Sequence, residues 1–124
     1  MKQLRLLFLI TVAVLMLVNC KGHSTVCDSI FNETSNYTSA YSLPVENGEI
    51  RANLYMEAKL ATGEITWKLR DPNGDIQWED HYEAANGPEL LTFRGFSTPA
   101  AENWYLELNL QNAIGEYCCV WKTQ

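Results

Sequence analysis

The residues able to do chemistry fall into four groups. One is the run Asp71-Pro72-Asn73-Gly74-Asp75, which sets the oxygens of Asp71, Asn73 and Asp75 at alternate positions. A hard cation such as calcium wants several oxygens on one tight turn. Pro at the second turn position and Gly at the fourth are also what a tight turn needs on its own account. The run is therefore expected to be structural, with Asp71, Asn73 and Asp75 only a weak calcium candidate and no cofactor expected. A second group is Trp67, Trp78, Trp104 and Trp121, whose faces could stack on sugars. All four fall on the apolar side of their local alternation, so they are expected in the core. Tyr55 and Tyr105 fall on the polar side, beside Asn53, Glu57, Glu107 and Asn109, and are the expected ligand-facing residues.

The third group is His81 among Gln77, Glu79 and Glu83. A hydrolase would add a nucleophile in a recognisable setting, yet no Gly-x-Ser-x-Gly and no catalytic cysteine signature is present. Carboxylate pairs drawn from Glu79, Glu83 or Glu107 are what any acidic chain offers. No enzyme is expected. The formal charge is −6, with 15 acidic and 9 basic residues, and the basic ones are scattered. That balance argues against nucleic acid as a partner.

The fourth group is the cysteines, Cys20, Cys27, Cys118 and Cys119. Lys2 and Arg5 precede an apolar run from Leu6 to Val18, the size of a signal-peptide core rather than a comfortable membrane span. The run ends in Leu17-Val18-Asn19-Cys20, which resembles the lipobox of bacterial lipoproteins. That resemblance covers the first 20 residues and departs from the usual pattern at Asn19, where a small residue is common. It implies cleavage before Cys20 and a lipidated Cys20 that ties the protein to the cell-envelope membrane. Lys21 is not the Asp that retains many such proteins at the inner membrane. An ordinary secretory signal cut near Gly22 and an uncleaved N-terminal anchor are the alternatives, and all three export the domain. Cleavage before Cys20 removes Lys2 and Arg5 and takes the charge from −6 to −8. With Cys20 lipidated, three thiols remain. Cys118 and Cys119 are neighbours, so a long-range bond from Cys27 to one of them is expected. Its loop of about 90 residues is worth roughly 4 kcal/mol in the chain-entropy model. Zinc is not expected, because its sites want paired ligands at short spacing.

The elements that must position these groups read as strands. Lys21 to Tyr41 is rich in Ser, Thr and Asn, and carries two Asn-x-Thr triplets at Asn32 and Asn36. Such triplets are glycan acceptors in a eukaryotic secreted protein and chance occurrences of a polar segment in a bacterial one, the latter being the expectation here. Residues 20–40 are expected to be a tether, with Ile30 and Phe31 packing on the domain edge. Period-two alternation then runs from Glu49 to Leu60, with Ile50, Ala52, Leu54, Met56, Ala58 and Leu60 on one side. Ile65, Trp67 and Leu69 face one way before the Asp71 turn, and Ile76 and Trp78 follow it. Tyr41–Val45, Glu89–Phe96, Trp104–Leu110 and Tyr117–Lys122 complete seven expected strands. Turns are expected at Thr62-Gly63 and at Asn112–Gly115. The pattern predicts an all-β antiparallel sandwich over residues 41–124, after a signal peptide over 1–19.

The order of Asp71-Pro72-Asn73-Gly74, Trp78, Pro99 to Leu106 and Ala113 to Tyr117 resembles pre-peptidase C-terminal and P-type jelly-roll domains. The resemblance covers residues 49–121 and implies a jelly-roll fold, without a function. Two functions are expected from different classes. One is an exported, lipid-anchored module that binds a protein or a glycan, through Tyr55 and Tyr105 or through the loops at 83–88 and 97–103. The other is an accessory subunit of an envelope complex that docks through an edge strand.

Overall fold

The computed structural model describes residues 24–124. The signal peptide, the lipobox and Cys20 lie outside the described residues. Five strands follow in order: β1 (Ser24–Leu43), β2 (Arg51–Arg70), β3 (Ile76–Glu83), β4 (Leu90–Ser97) and β5 (Trp104–Thr123), with a single 3₁₀ turn at Ala84–Asn86. All pairings are antiparallel: β1 with β5, β5 with β2, and β2 with both β3 and β4.

Three of these strands are 20 residues long, and each serves two layers. Trp104 and Trp121 stand seventeen residues apart on β5. An extended strand would separate them by about 56 Å, yet their ring centroids are 5.5 Å apart. β5 therefore folds back over itself, and β1 and β2 bend with it. The register shifts mark the bends, between Phe31 and Tyr37 in β1 and between Leu60 and Glu64 in β2. The first layer holds the Ser24–Phe31 half of β1, the Gly115–Thr123 half of β5, the Arg51–Leu60 half of β2, and β4. The second layer holds the remaining halves, with β3 on its edge. This is the strand order of a jelly roll.

The all-β sandwich matches the sequence pattern, but two expected turns are bends inside continuous strands. Gly63 has φ +78° and Gly115 φ +153°, where glycine alone sits without strain. At both, the neighbouring backbone arrives where a side chain would be. A Cβ on Gly63 would meet the Gln111 and Asn112 carbonyls, and one on Gly115 the Lys59 carbonyl. The chain thus kinks without leaving the ladder, as β-bulges allow.

The structure also corrects the expected tether. Residues 24–43 are strand β1, paired with β5 from Ser24↔Lys122 to Leu43↔Trp104. Its inward positions include Thr25, Cys27 and Ser29, small side chains that give no apolar alternation. Its stability comes instead from the ladder, from buried Phe31 and Leu43, and from a Cys27–Cys119 disulfide across the pair. The two residues face each other in register, with Cα atoms 5.1 Å apart. In the chain-entropy model a loop of this length is worth about 4–5 kcal/mol.

The core is an aromatic chain. Trp67 meets Trp78 edge-on at 5.6 Å, Trp78 meets Phe96 at 6.3 Å, and Phe96 meets Trp104 at 5.5 Å. All four tryptophans are buried, as their phase along the strands implied. The indole nitrogens of Trp67 and Trp104 have no hydrogen-bond partner. Each costs about 1–3 kcal/mol. Burying a ring of ~200 Å² returns about 5 kcal/mol, so packing outweighs the loss.

Gly63→Ala is expected to destabilise the domain by about 2–3 kcal/mol through the displaced β5 backbone. Gly48 also has positive φ, but open space surrounds it. Gly48→Ala is expected to cost about 1 kcal/mol. Urea midpoints of the two variants check this; equal costs would argue against a close crossing at Gly63.

Candidate functional site

An antiparallel sheet with one buried face ordinarily turns polar residues to water. The outer face of the first layer breaks that rule. The ladders align Val26, Val120, Tyr55 and Phe93 in one row across all four strands. Phe93 is 66 % exposed, Val26 is exposed and Tyr55 half-buried, while Val120 beneath them is only 3 % exposed. Tyr55 and Phe93 stack at 5.4 Å with ring planes 23° apart, and Lys122 Nζ sits 6.0 Å from the Tyr55 ring centroid.

The next row toward the bends is Asp28, Cys118, Glu57 and Leu91, the last 69 % exposed. Beyond it come Ile30, Glu116 and Lys59, and Lys59 Nζ lies 3.6 Å from Glu89 Oε2. This last row opens into a cleft of about 320 Å³ walled by Phe31, Leu60, Ala61, Pro88 and Ile114. Face and cleft adjoin, with Asp28, Glu57, Lys59 and Glu116 in the rows between them. Exposed apolar side chains grouped in this way mark interaction sites.

Tyr55 therefore belongs to the surface, but Tyr105 does not share it. Tyr105 lies on the outer face of the second layer, opposite Ser42 and Arg70. That face is polar, with Lys68 Nζ 3.9 Å from Glu79 Oε1 and Asn109 Nδ2 donating to Thr38 Oγ1 at 2.7 Å. The bend in β2 and β5 puts the two tyrosines on opposite sides of the sandwich, so they cannot form one platform. The sequence missed Phe93 and Leu91, because β4 is short and none of its residues is fully buried. Their sole signal was an apolar pair at alternate positions on the side that also carries Gly95.

The Asp71 carboxylate organises its own turn. Oδ1 accepts from the Asn73 and Asp75 backbone amides at 2.9 and 3.0 Å, and Oδ2 from Gln77 Nε2 at 2.8 Å. Among the described residues no group of three His, Cys, Asp or Glu could hold a metal. A second depression, about 470 Å³, lies between this turn and the 97–103 loop, bordered by Phe96 and Trp104. Of the two loops expected to carry a site, the 83–88 loop lends Pro88 to the apolar cleft, while the 97–103 loop belongs to this other end. His81 is exposed on the second layer, opposite Thr66.

Cys118 is the free thiol of the face. Burial pushes it up to about 11, and Asp28 and Glu57 push in the same direction. Burial also raises the Glu57 carboxyl; Lys59 opposes this, while Glu89 and Glu116 add to it. The Cys27–Cys119 disulfide is the chemistry of an oxidising compartment, outside the cytoplasm. Among the described residues no helix is long and apolar enough to cross a membrane.

No protein-family model and no curated protein matches the sequence. Solved structures match the fold. A lipase of Bacillus licheniformis in its propeptide form is 12 % identical, with TM-score 0.54 over 84 % of this chain; the chain spans only 22 % of that lipase. A periplasmic inhibitor of g-type lysozyme from Aeromonas hydrophila is 10 % identical, with TM-score 0.52 over 83 % of this chain and 88 % of that one. A pre-peptidase C-terminal domain of a Bacillus anthracis collagenase is 19 % identical over 82 % and 89 %, with TM-score 0.46. It is of the family that residues 49–121 resemble, and at that score it is a likeness of outline. What these proteins share with this chain is the sandwich.

At pH 8 a thiol titrating near 11 is about 0.1 % ionised, against roughly 25 % for an ordinary cysteine. Iodoacetamide is therefore expected to alkylate Cys118 at least ~100-fold more slowly than free cysteine. Mass spectrometry of the folded protein checks it; a rate near that of the free amino acid would contradict the burial.

Glu57 has a raised folded-state value, so its favourable contribution is present at low pH and is lost as pH rises through that value. Glu57→Gln is expected to raise the melting temperature at pH 7 and to leave it unchanged near about pH 3. A gain of equal size at both would dissociate the effect from ionisation.

Proposed function

We propose that this protein is an exported, lipid-anchored module that binds another protein through the outer face of its first layer, without catalysis. The observation that carries the reading is the row Val26–Val120–Tyr55–Phe93, with exposed Leu91 in the next row and the apolar cleft beyond it. Stable protein interfaces have this anatomy: an apolar centre with aromatic anchors, and a charged rim. Here exposed Asp28 on β1 and the Lys59–Glu89 pair supply charge at the edges, while Glu57 lies within the face and Glu116 and Lys122 are buried. A glycan site would want an exposed ring among hydrogen-bonding groups, and aliphatic side chains dominate this cleft instead. The inhibitor from Aeromonas hydrophila supports the reading only in that its fold is a periplasmic one of the same size.

The anchor rests on the lipobox-like Leu17-Val18-Asn19-Cys20. In the producing cell, Cys20→Ser is expected to move the protein from the membrane to the soluble fraction. The site is tested there with a photo-crosslinking amino acid placed at Leu91 and, separately, at Tyr105. A discrete protein adduct from position 91 alone is expected. An adduct from 105 alone, or sugar binding on a glycan array that Tyr105→Ala abolishes, would move the site to the second layer and contradict the assignment.

A further inference from the structure

We infer that the end of the sandwich bearing the N-terminus of β1 lies against the lipid bilayer, through Ile50, Ile76 and Tyr105. The inference rests on the reading of Cys20 as the lipid anchor and adds to it a second contact made by the fold itself.

Strand β1 begins at Ser24, not near residue 41. Only Lys21, Gly22 and His23 separate Cys20 from the folded domain. Four Cα steps reach at most about 14 Å. A tether of 20 residues would let the domain drift and turn freely above the membrane. A three-residue link holds the Ser24 end within about 14 Å of the lipidated residue.

That end is defined by hydrogen bonds. Ser24 pairs with Lys122, and the Gln124 carbonyl accepts from the Ile50 and Arg51 amides at 2.9 and 3.0 Å. The Thr98 amide donates to the Ile50 carbonyl at 2.9 Å. Trp121 Nε1 donates to the Pro44 carbonyl at 3.0 Å, tying the 44–50 loop to the same end. In the second layer, Tyr105 and Ile76 both face Arg70 in their ladders, where β2 closes at the Asp71 turn. Ile50 is 66 % exposed, Ile76 43 % and Tyr105 48 %. Three large apolar side chains thus ring the end of the domain from which the anchor departs. Tyrosine favours the headgroup region, where its ring is half-apolar and its hydroxyl stays wet, and isoleucine beside it reaches the acyl boundary.

The loops of this end also carry Glu46, Asp71, Asp75 and Glu102, against Arg51 and Arg70. The contact is therefore with a zwitterionic interface and draws no help from anionic lipid. The cleft beside Ile30 and Pro88 lies at the opposite end and points away from the membrane, open to a partner.

The test uses the mature lipidated protein in phosphatidylcholine vesicles. Nitroxide labels are placed singly through Ile50→Cys, Ile76→Cys and Tyr105→Cys, and through Ala85→Cys as the far-end control. Cys118, slow to react, takes no label. The reference is each label in the soluble Cys20→Ser form. The first three positions are expected to lose nickel-chelate accessibility several-fold and to gain oxygen accessibility on the vesicle, while position 85 stays unchanged. If the protein floats with the vesicles and all four labels remain aqueous, the anchor stands and the docking is wrong. If the unlabelled protein carries no lipid and does not float, the anchor is wrong and the docking falls with it. To separate docking from label effects, Ile50→Asp with Ile76→Asp is expected to leave flotation intact and return the label at 105 to water. A label that stays immersed in that variant would overturn the assignment of Ile50 and Ile76.

Discussion

Strand β5 is hydrogen-bonded along its whole length on both sides, to β1 on one edge and to β2 on the other. Every other feature depends on that double pairing. It places Cys119 against Cys27, so one covalent bond closes most of the chain into a loop. It brings Trp104 against Trp121, so the strand must bend and the sheet must become two layers. It requires β2 to bend at the same level, which puts Gly63 under the β5 backbone where no side chain fits. It also lines up the outward side chains of four strands into the apolar row that is the candidate site.

Strand phase made much of this legible. The tryptophans, the Asp71 turn and the sandwich class follow from period-two alternation and turn chemistry alone. Cys27 was seen to need a partner in the 118–119 pair, and register chose Cys119. What escaped has physical causes. β1 has inward positions filled by Thr25, Cys27 and Ser29, so its strand character lies in its partner and not in its own pattern. Thr62-Gly63 and Asn112–Gly115 have turn composition, but a positive φ serves a bulge as well as a hairpin. The bend they make reverses which layer a residue serves. Tyr55 and Tyr105, each correctly placed on an outward face, therefore end up on opposite sides of the molecule.

The two outer faces then take different roles. Away from Tyr105 at its end, the second layer is polar and laced with charge and amide contacts, an ordinary solvated surface. The first layer keeps Val120 and Cys118 nearly covered under Tyr55, while Phe93 and Leu91 stay open beside them. Leaving such side chains in water costs the isolated domain, and a partner that covers them recovers the loss. Glu57 and Cys118, both pushed toward their neutral forms, mark how dry this face already is at its centre. The free thiol is thereby kept from reacting beside a disulfide.

The bond partners, the short link to Cys20 and the orientation of the site all follow from β1 being part of the sandwich. Amide hydrogen exchange across residues 24–43 of the mature protein measures this directly. The ladder with β5 predicts that alternate β1 amides within residues 25–31 and 37–43, those that point at β5, exchange slowly, while the intervening amides on the open edge and those around residues 32–36 exchange faster. Exchange at unstructured-chain rates throughout 24–40 would contradict it, and would return that segment to a tether.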